Sequence, residues 1–192
     1  MLEILSRHIT QWLIKKKVIL EDDSEVYEYG LFQLIMNVID ICTIFLLAIC
    51  FQEIFSVICF VVSFALLRKY AGGYHANTVL RCYLVTTIAT VLAILWIKFV
   101  VVPFIVILGI WVVSGITIVL LAPVSNRNKI LDDVEYVVYR KKALSIWGVE
   151  CVIMLLFKFI GFEKCFEGNL IGQCYVALAM CIEVLSFKSI ED

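Results

Sequence analysis

Two residues in a short polar stretch, His75 and Cys82, carry the side chains best suited to nucleophilic chemistry. The stretch RKYAGGYHANTVLRC, residues 68–82, separates two long apolar runs. Histidine is the usual general base near neutral pH, and a thiol beside an imidazole can lose its proton and attack a carbonyl carbon. The pair therefore predicts a nucleophilic site, although an ordinary turn followed by a helix-end cysteine would have the same residues.

The spacing of the two side chains requires an interruption in the helix between them. Seven residues of continuous helix advance about 10.5 Å, whereas a direct hydrogen bond spans about 3 Å. The glycine pair 72–73 permits positive φ, and Asn77 and Thr78 are good residues to cap the next helix. Cys82 would then lie in the first or second turn, where the helix dipole and Arg81 favour its thiolate form.

The elements that must position this stretch are membrane helices. The 192 residues are 63% apolar, with a mean hydropathy of +1.02, which is typical of an integral membrane protein. A span needs roughly 20 apolar residues, and the chain contains several such runs, so the sequence predicts an all-α polytopic membrane protein. We expect one domain over 1–192, with residues 68–82 as its catalytic loop and helix start. The six predicted spans are 30–51, 53–67, 82–98, 103–122, 143–161 and 168–187.

The first twenty residues predict a helix that is not a span. Leu2, Leu5, Ile9, Trp12 and Leu13 recur at helical spacing between polar residues. This pattern is typical of a helix at the membrane interface, and it equally fits a helix packed on the bundle. Early charges also interrupt any apolar core of a cleavable signal peptide, so we expect this segment to be retained.

The distribution of cations predicts the orientation. With both termini and 68–82 in the cytoplasm, 13 of the 16 Lys and Arg residues lie inside, as the positive-inside bias requires. The net charge of -1 argues against a nucleic-acid partner, because neutralising phosphates needs a basic excess. The apolar composition and this distribution of cations make the lipid bilayer the expected partner.

Several other polar residues have two interpretations. The basic clusters 15–17 and Arg140-Lys141-Lys142 either bind anionic lipid or receive an acidic segment of a substrate. Asp40, in the middle of the first span, is expected to face the bundle interior in a structural role, and the alternative is that it orients His75. Glu150 and Glu183 are expected to pair with nearby basic residues, and the alternative is a functional role.

No cofactor is predicted. The eight cysteines lack metal-ligand spacing, and all except Cys82 fit the role of small apolar residues. The sequence contains no Walker-type glycine loop and no HExxH. We therefore expect neither a metal nor a nucleotide.

Two segments carry a resemblance to a known family. LRKYAGGYHANTVLRCYL resembles the hallmark region of the AgrB family, the accessory gene regulator membrane endopeptidases, and LAPVSNRNK, residues 121–129, is similar to the family's segment after the fourth span. The resemblance covers essentially the whole chain. The matching positions are Arg68, Gly73, His75, Cys82, Ala122-Pro123, Asn128 and Lys129.

The resemblance implies a cysteine endopeptidase in a bacterial cell membrane that processes an AgrD-type signal-peptide precursor. Cys82 would be the nucleophile and His75 its base, and a nucleophile within the precursor would close a thiolactone or lactone ring for quorum sensing. A homodimer is a separate expectation, which rests on the association of many small membrane enzymes and not on the resemblance. The competing hypothesis is a small exporter or scaffold, in which Cys82 could be replaced without chemical consequence. The residues expected to support catalysis or bind substrate are Arg68, Gly73, Arg81, Asn128, Lys129, Arg140, Lys141 and Lys142.

Overall fold

The computed structural model describes residues 2–74, 78–125 and 131–191, and the described part contains helices and no strand. This confirms the all-α prediction. A short 3-10 turn over Glu21–Asp23 precedes the second helix. The helices are α1 (Leu2–Lys15), α2 (Ser24–Cys50), α3 (Ile54–Ala71), α4 (Val79–Phe99), α5 (Phe104–Leu121), α6 (Asp133–Ile160) and α7 (Glu163–Glu191).

Six of these helices, α2 to α7, are long and apolar enough to cross a membrane. The number agrees with the prediction, while α6 begins ten residues before the predicted 143. Its start is fixed by Asp132, whose side chain accepts a hydrogen bond from the Glu135 amide at 2.6 Å, as expected for an N-cap. The cluster Arg140-Lys141-Lys142 therefore lies within a helix and not in a loop.

The chain divides into two compact units, and the first comprises residues 1–47 and 76–89. In this unit Arg7 Nε lies 3.2 Å from Glu28 Oε1, which ties α1 to α2. The α1 helix buries the small polar residues Ser6 and Thr10 and leaves Trp12 exposed. An exposed aromatic side chain suits a membrane interface. This supports the prediction that α1 lies at the interface, which stays a prediction.

The second unit comprises residues 48–75 and 90–192, and α7 packs most extensively against α3. Gly168 and Gly172 permit this approach, because a Cβ atom at Gly172 would lie 2.9 Å from the Phe60 carbonyl oxygen and from Ser63 Oγ. Small residues spaced by four are typical of close helix contacts in membranes. Around this contact lies an apolar core of Leu67, Ala71, Ile118, Ala122, Ala143, Val176, Ala177 and Met180.

The opposite ends of the same helices carry ion pairs. Glu53, at the start of α3, is buried and pairs with Lys164 of α7. Lys158 of α6 lies 2.7 Å from Glu163 of α7. These pairs hold the end of the unit that lies farthest from Ala71 along α3.

Candidate active site

Cys82 lies in the first turn of α4, which begins at Val79. Thr78 caps this helix, because its Oγ1 accepts a hydrogen bond from the Arg81 amide at 3.3 Å and its carbonyl accepts one from the Cys82 amide at 3.0 Å. The cap predicted at Thr78 is therefore present. The Cys82 thiol and the Arg81 side chain are both exposed.

The helix interruption predicted before Cys82 is also present. The α3 helix ends at Ala71, and Gly72 and Gly73 follow with φ of 75° and 108°. Both values lie in the region that only glycine adopts freely. His75 lies outside the described residues, so its approach to Cys82 stays a prediction.

Arg68 fixes the backbone that leads to His75. Its guanidinium donates hydrogen bonds to the carbonyl oxygens of Gly72 and Tyr74. The Tyr74 amide donates in turn to the carbonyl of Ala179 in α7 at 2.9 Å. A side chain at Gly73 would collide with Arg68 and with the Ala179 backbone. The arginine and the glycine thus act together, and Arg68 serves to position the chain.

The second motif segment lies beside the first. The Val124 amide donates to the Ala71 carbonyl at 2.9 Å, and Gly72 and Val124 form a short parallel bridge. The Ala122–Pro123 peptide bond is cis. Sequence analysis matched both segments to one family without predicting this contact, since residues as far apart in the chain as Gly72 and Val124 carry no sign of pairing.

Arg140 joins the α5 end of this arrangement. Its guanidinium donates to the carbonyls of Ala122 at 2.6 Å and Val119 at 3.1 Å. Carbonyls at a helix C-terminus lack intrahelical donors, and a cation there also complements the helix dipole. Arg140 therefore has a structural role that sequence analysis did not anticipate.

The remaining cations of this region surround an aromatic side chain. Lys69 Nζ and Lys142 Nζ lie 5.4 and 5.2 Å from the centroid of the Tyr70 ring. Lys141 is exposed beside them. We call Lys69, Lys141 and Lys142 the basic patch.

Asn128 and Lys129 lie outside the described residues, and their predicted roles stay predictions.

Other sequence expectations have different outcomes. All eight cysteines are free thiols. The pairing of Glu150 with a basic residue is wrong for the described part of the chain, where Ser63 Oγ donates to Glu150 Oε2 at 2.7 Å. Asp40 is partly buried, and its Oδ1 has no hydrogen-bond partner among the described residues. Those residues also contain no cluster of three or more His, Cys, Asp or Glu side chains suited to a metal.

Comparisons with known proteins point in one direction. The family described as Accessory gene regulator B matches residues 6–187. An AgrB-like protein of Clostridium perfringens (strain SM101 / Type A) is 28% identical over 91 residues, which are 47% of this chain and 42% of the relative. The chain thus spans less than half the length of that curated relative. No solved structure matches the chain.

Proposed function

The chain belongs to the accessory gene regulator B family, and we propose on this premise that it is a cysteine endopeptidase that cleaves an AgrD-type precursor peptide. Family membership supports a multi-pass membrane protein whose role is connected with autoinducer processing. The observation that carries the cleavage chemistry is the exposed thiol of Cys82 in the capped first turn of α4. A helix N-terminus favours negative charge, and an accessible thiolate is the reactive form of cysteine.

The first chemical step is acylation of the enzyme. His75 accepts the thiol proton of Cys82, and the sulfur attacks the carbonyl carbon of the scissile peptide bond. The C–N bond then breaks, and the leaving nitrogen takes the proton from His75. The C-terminal tail of the precursor departs, and its N-terminal part remains on Cys82 as a thioester.

The second step releases the product as a ring. A thiol or hydroxyl within the acylated peptide attacks the thioester carbonyl, and the sulfur of Cys82 leaves and recovers its proton. A thioester is less stable than the amide it replaces, so removal of the tail by dilution or degradation would draw the reaction forward. A site that excludes water would protect the thioester from hydrolysis.

Three features of the described residues support a positioned site. Arg68 and Ala179 hold Tyr74, the residue before the proposed base. Gly73 allows the Arg68 guanidinium to approach the backbone. Accurate placement of a catalytic group contributes several kcal/mol to a rate, and small displacements lose much of it.

We place this site at the cytoplasmic face, together with both termini. The cation count supports this orientation, and the length of α6 shows that one of its ends must project from the membrane. Its 28 residues span about 42 Å, which exceeds a hydrocarbon core of about 30 Å. The first turns, with the basic patch, would then project from the membrane on the cytoplasmic side, where they could receive an acidic tail.

The direct test is tail release from a synthetic AgrD-type precursor by the purified protein in lipid vesicles, followed by mass spectrometry. Cys82→Ala should abolish release, and His75→Ala should be nearly as damaging, because members of a catalytic pair act as a unit. The matched control is Cys42→Ala, which removes another exposed thiol and should retain wild-type release. Wild-type release by Cys82→Ala would reject the peptidase and favour the exporter or scaffold.

A further inference from the structure

Three helices of the second unit place polar side chains against one another deep in the bundle. Ser63 of α3, Glu150 of α6, and Asn169 and Gln173 of α7 are all buried, with at most 5% of each residue exposed. The Ser63 hydroxyl lies within hydrogen-bond distance of two acceptors, 2.7 Å from Glu150 Oε2 and 3.2 Å from the Asn169 carbonyl oxygen, and it donates its one proton to the nearer carboxyl oxygen. Gln173 Nε2 donates to Asn169 Oδ1 at 2.9 Å.

Two acceptor oxygens of this cluster have no donor. Glu150 Oε1 and Gln173 Oε1 are buried, and neither has a hydrogen-bond partner among the described residues. The Gln173 amide lies beside the Glu150 carboxyl and interacts with it. Buried acceptors are normally satisfied, so the pair points to a missing positive or donor-bearing species.

The cluster borders a pocket that is partly open at the surface of the bundle, where the lining residues Val62 and Val149 are exposed. The pocket, of about 300 Å³, lies between α3, α6 and α7, and its polar lining residues are Ser63, Ser145, Glu150 and Asn169. Glu150 is the one charged residue among its described lining residues. The volume equals the liquid share of about ten water molecules at roughly 30 Å³ each, so a small cation has room to reach the carboxyl.

The depth of the cluster follows from the helix bounds. Ser63 lies nine residues after the start of α3, Glu150 ten before the end of α6, and Gln173 ten after the start of α7. These separations correspond to about 13–15 Å, half of a hydrocarbon core of about 30 Å. An ionisable residue at this depth marks an ion or proton site by default.

We propose that Ser63, Glu150 and Gln173 form a binding site for one monovalent cation, a proton or Na⁺, in the middle of the membrane. A single carboxylate requires a single positive charge, and the described lining residues supply none. Ser63 occupies Oε2, which leaves Oε1 and the Gln173 oxygen free to hold the cation. Both oxygens are hard ligands of the kind that such ions prefer.

The other groups that face Glu150 do not compete for this role. Cys59 of α3 lines the same cavity, and Cys151 follows Glu150 on α6. The α7 side chains that contribute are the neutral amides Asn169 and Gln173. A thiol is neutral near pH 7, so the carboxyl is the group whose charge the cation must balance. This site is independent of the proposed peptidase chemistry.

Dicyclohexylcarbodiimide, a membrane-soluble reagent, tests the site in the full-length protein in vesicles. A protonated carboxyl adds across a C=N bond of the reagent, its proton moves to the reagent nitrogen, and rearrangement gives an N-acylurea. No group leaves, so the residue gains the full mass of one reagent molecule. Peptide mapping should locate this adduct on Glu150. Glu150→Gln should remove it, whereas Glu183→Gln, a change at another buried carboxyl, should retain it.

The occupant is identified by pH and salt. If a proton is bound, adduct formation on Glu150 falls as the pH rises and is the same in NaCl and choline chloride. If Na⁺ is bound, NaCl slows the reaction about tenfold relative to choline chloride once Na⁺ is about ten times its Kd. No adduct on Glu150 under any of these conditions, or an adduct that forms equally at every pH in both salts, would overturn the proposal.

Discussion

At the scale of single residues, Arg68 is the side chain whose particular geometry the described fold requires most clearly. Its guanidinium reaches two carbonyls, those of Gly72 and Tyr74, from one position. A planar fork of donors can do this, whereas the ammonium of lysine is a point charge on a flexible stem. The requirement is therefore for arginine geometry and not simply for a cation.

Arg68→Lys should release the segment before His75 while preserving charge. Hydrogen bonds from charged groups contribute about 1.5–3 kcal/mol each, so the apparent Tm should fall. The kcat of tail release should drop on the order of 10- to 100-fold, as expected for a misplaced catalytic group. Lys69→Arg at the exposed neighbouring position is the control and should behave as wild type. Equal kcat values for Arg68→Lys and wild type would show that the fork does not position the site.

At the scale of elements, the junction between α3 and the segment after α5 depends on a glycine. Gly72 has a φ of 75°, and a Cβ there would collide with the Val124 carbonyl oxygen. The contrast is Gly148 in the middle of α6, where a Cβ would meet nothing within 4 Å. Comparing substitutions at these two positions therefore distinguishes a glycine that the backbone requires from one that a helix tolerates.

Gly72→Ala and Gly148→Ala should therefore have opposite effects on stability. The first forces a strained backbone and a steric collision, and we expect a loss of about 1–3 kcal/mol. The second should gain about 0.5–1 kcal/mol, because alanine is the better helix residue. Thermal unfolding in detergent measures both. A stable Gly72→Ala protein with unchanged tail release would contradict the close pairing of Gly72 with Val124.

Helix boundaries also show what sequence reasoning could reach. Six spans followed from apolar runs, and the Thr78 cap followed from its residue type before an apolar run. The early start of α6 was missed because five charged residues interrupt the apolar pattern of residues 133–142, although Asp132 and Glu135 offered a capping signal. Gly168 and Gly172 form a GxxxG pair that signals close packing and was overlooked. The contacts of Val124 with Ala71 and of Arg140 with Ala122 depend on tertiary packing and have no local signal.

The basic patch on α3 and α6 should act in substrate binding and not in chemistry. Two exposed contacts of about 0.5 kcal/mol each would together raise KM about fivefold in Lys141→Gln/Lys142→Gln at low salt. The difference from wild type should disappear as salt screens the charges. Lys158→Gln, at the other end of α6, is the control. An unchanged KM with reduced membrane insertion would favour lipid anchoring.

At the scale of the whole molecule, the charges divide between helix ends. Three cations, Lys98, Lys158 and Lys164, lie at the ends that we assign to the outside. In the described structure Lys158 and Lys164 pair with the carboxylates of Glu163 and Glu53, and Lys98 donates a hydrogen bond to the Phe51 carbonyl. The two cations that are neutralised by carboxylates oppose the proposed orientation less than free ones would.

This orientation predicts the accessibility of two positions. Val101, in the connector between α4 and α5, is 96% exposed. In a background without other thiols, Val101→Cys should react with a membrane-impermeant maleimide in intact cells. Cys82 alone should react only after permeabilisation. Labelling of Val101→Cys only after permeabilisation would reverse the proposed topology.

The central claim is that Cys82 forms a thioester with the precursor. The most direct measurement is the intact mass of the wild-type protein after incubation with a precursor whose ring-forming nucleophile is replaced by alanine. Acylation remains available and ring closure does not, so the N-terminal part of the precursor should accumulate on Cys82 or be hydrolysed slowly as the tail appears. Cys82→Ala should show neither adduct nor released tail. Tail release at the wild-type rate by Cys82→Ala, with no adduct on the wild-type protein, would contradict the account.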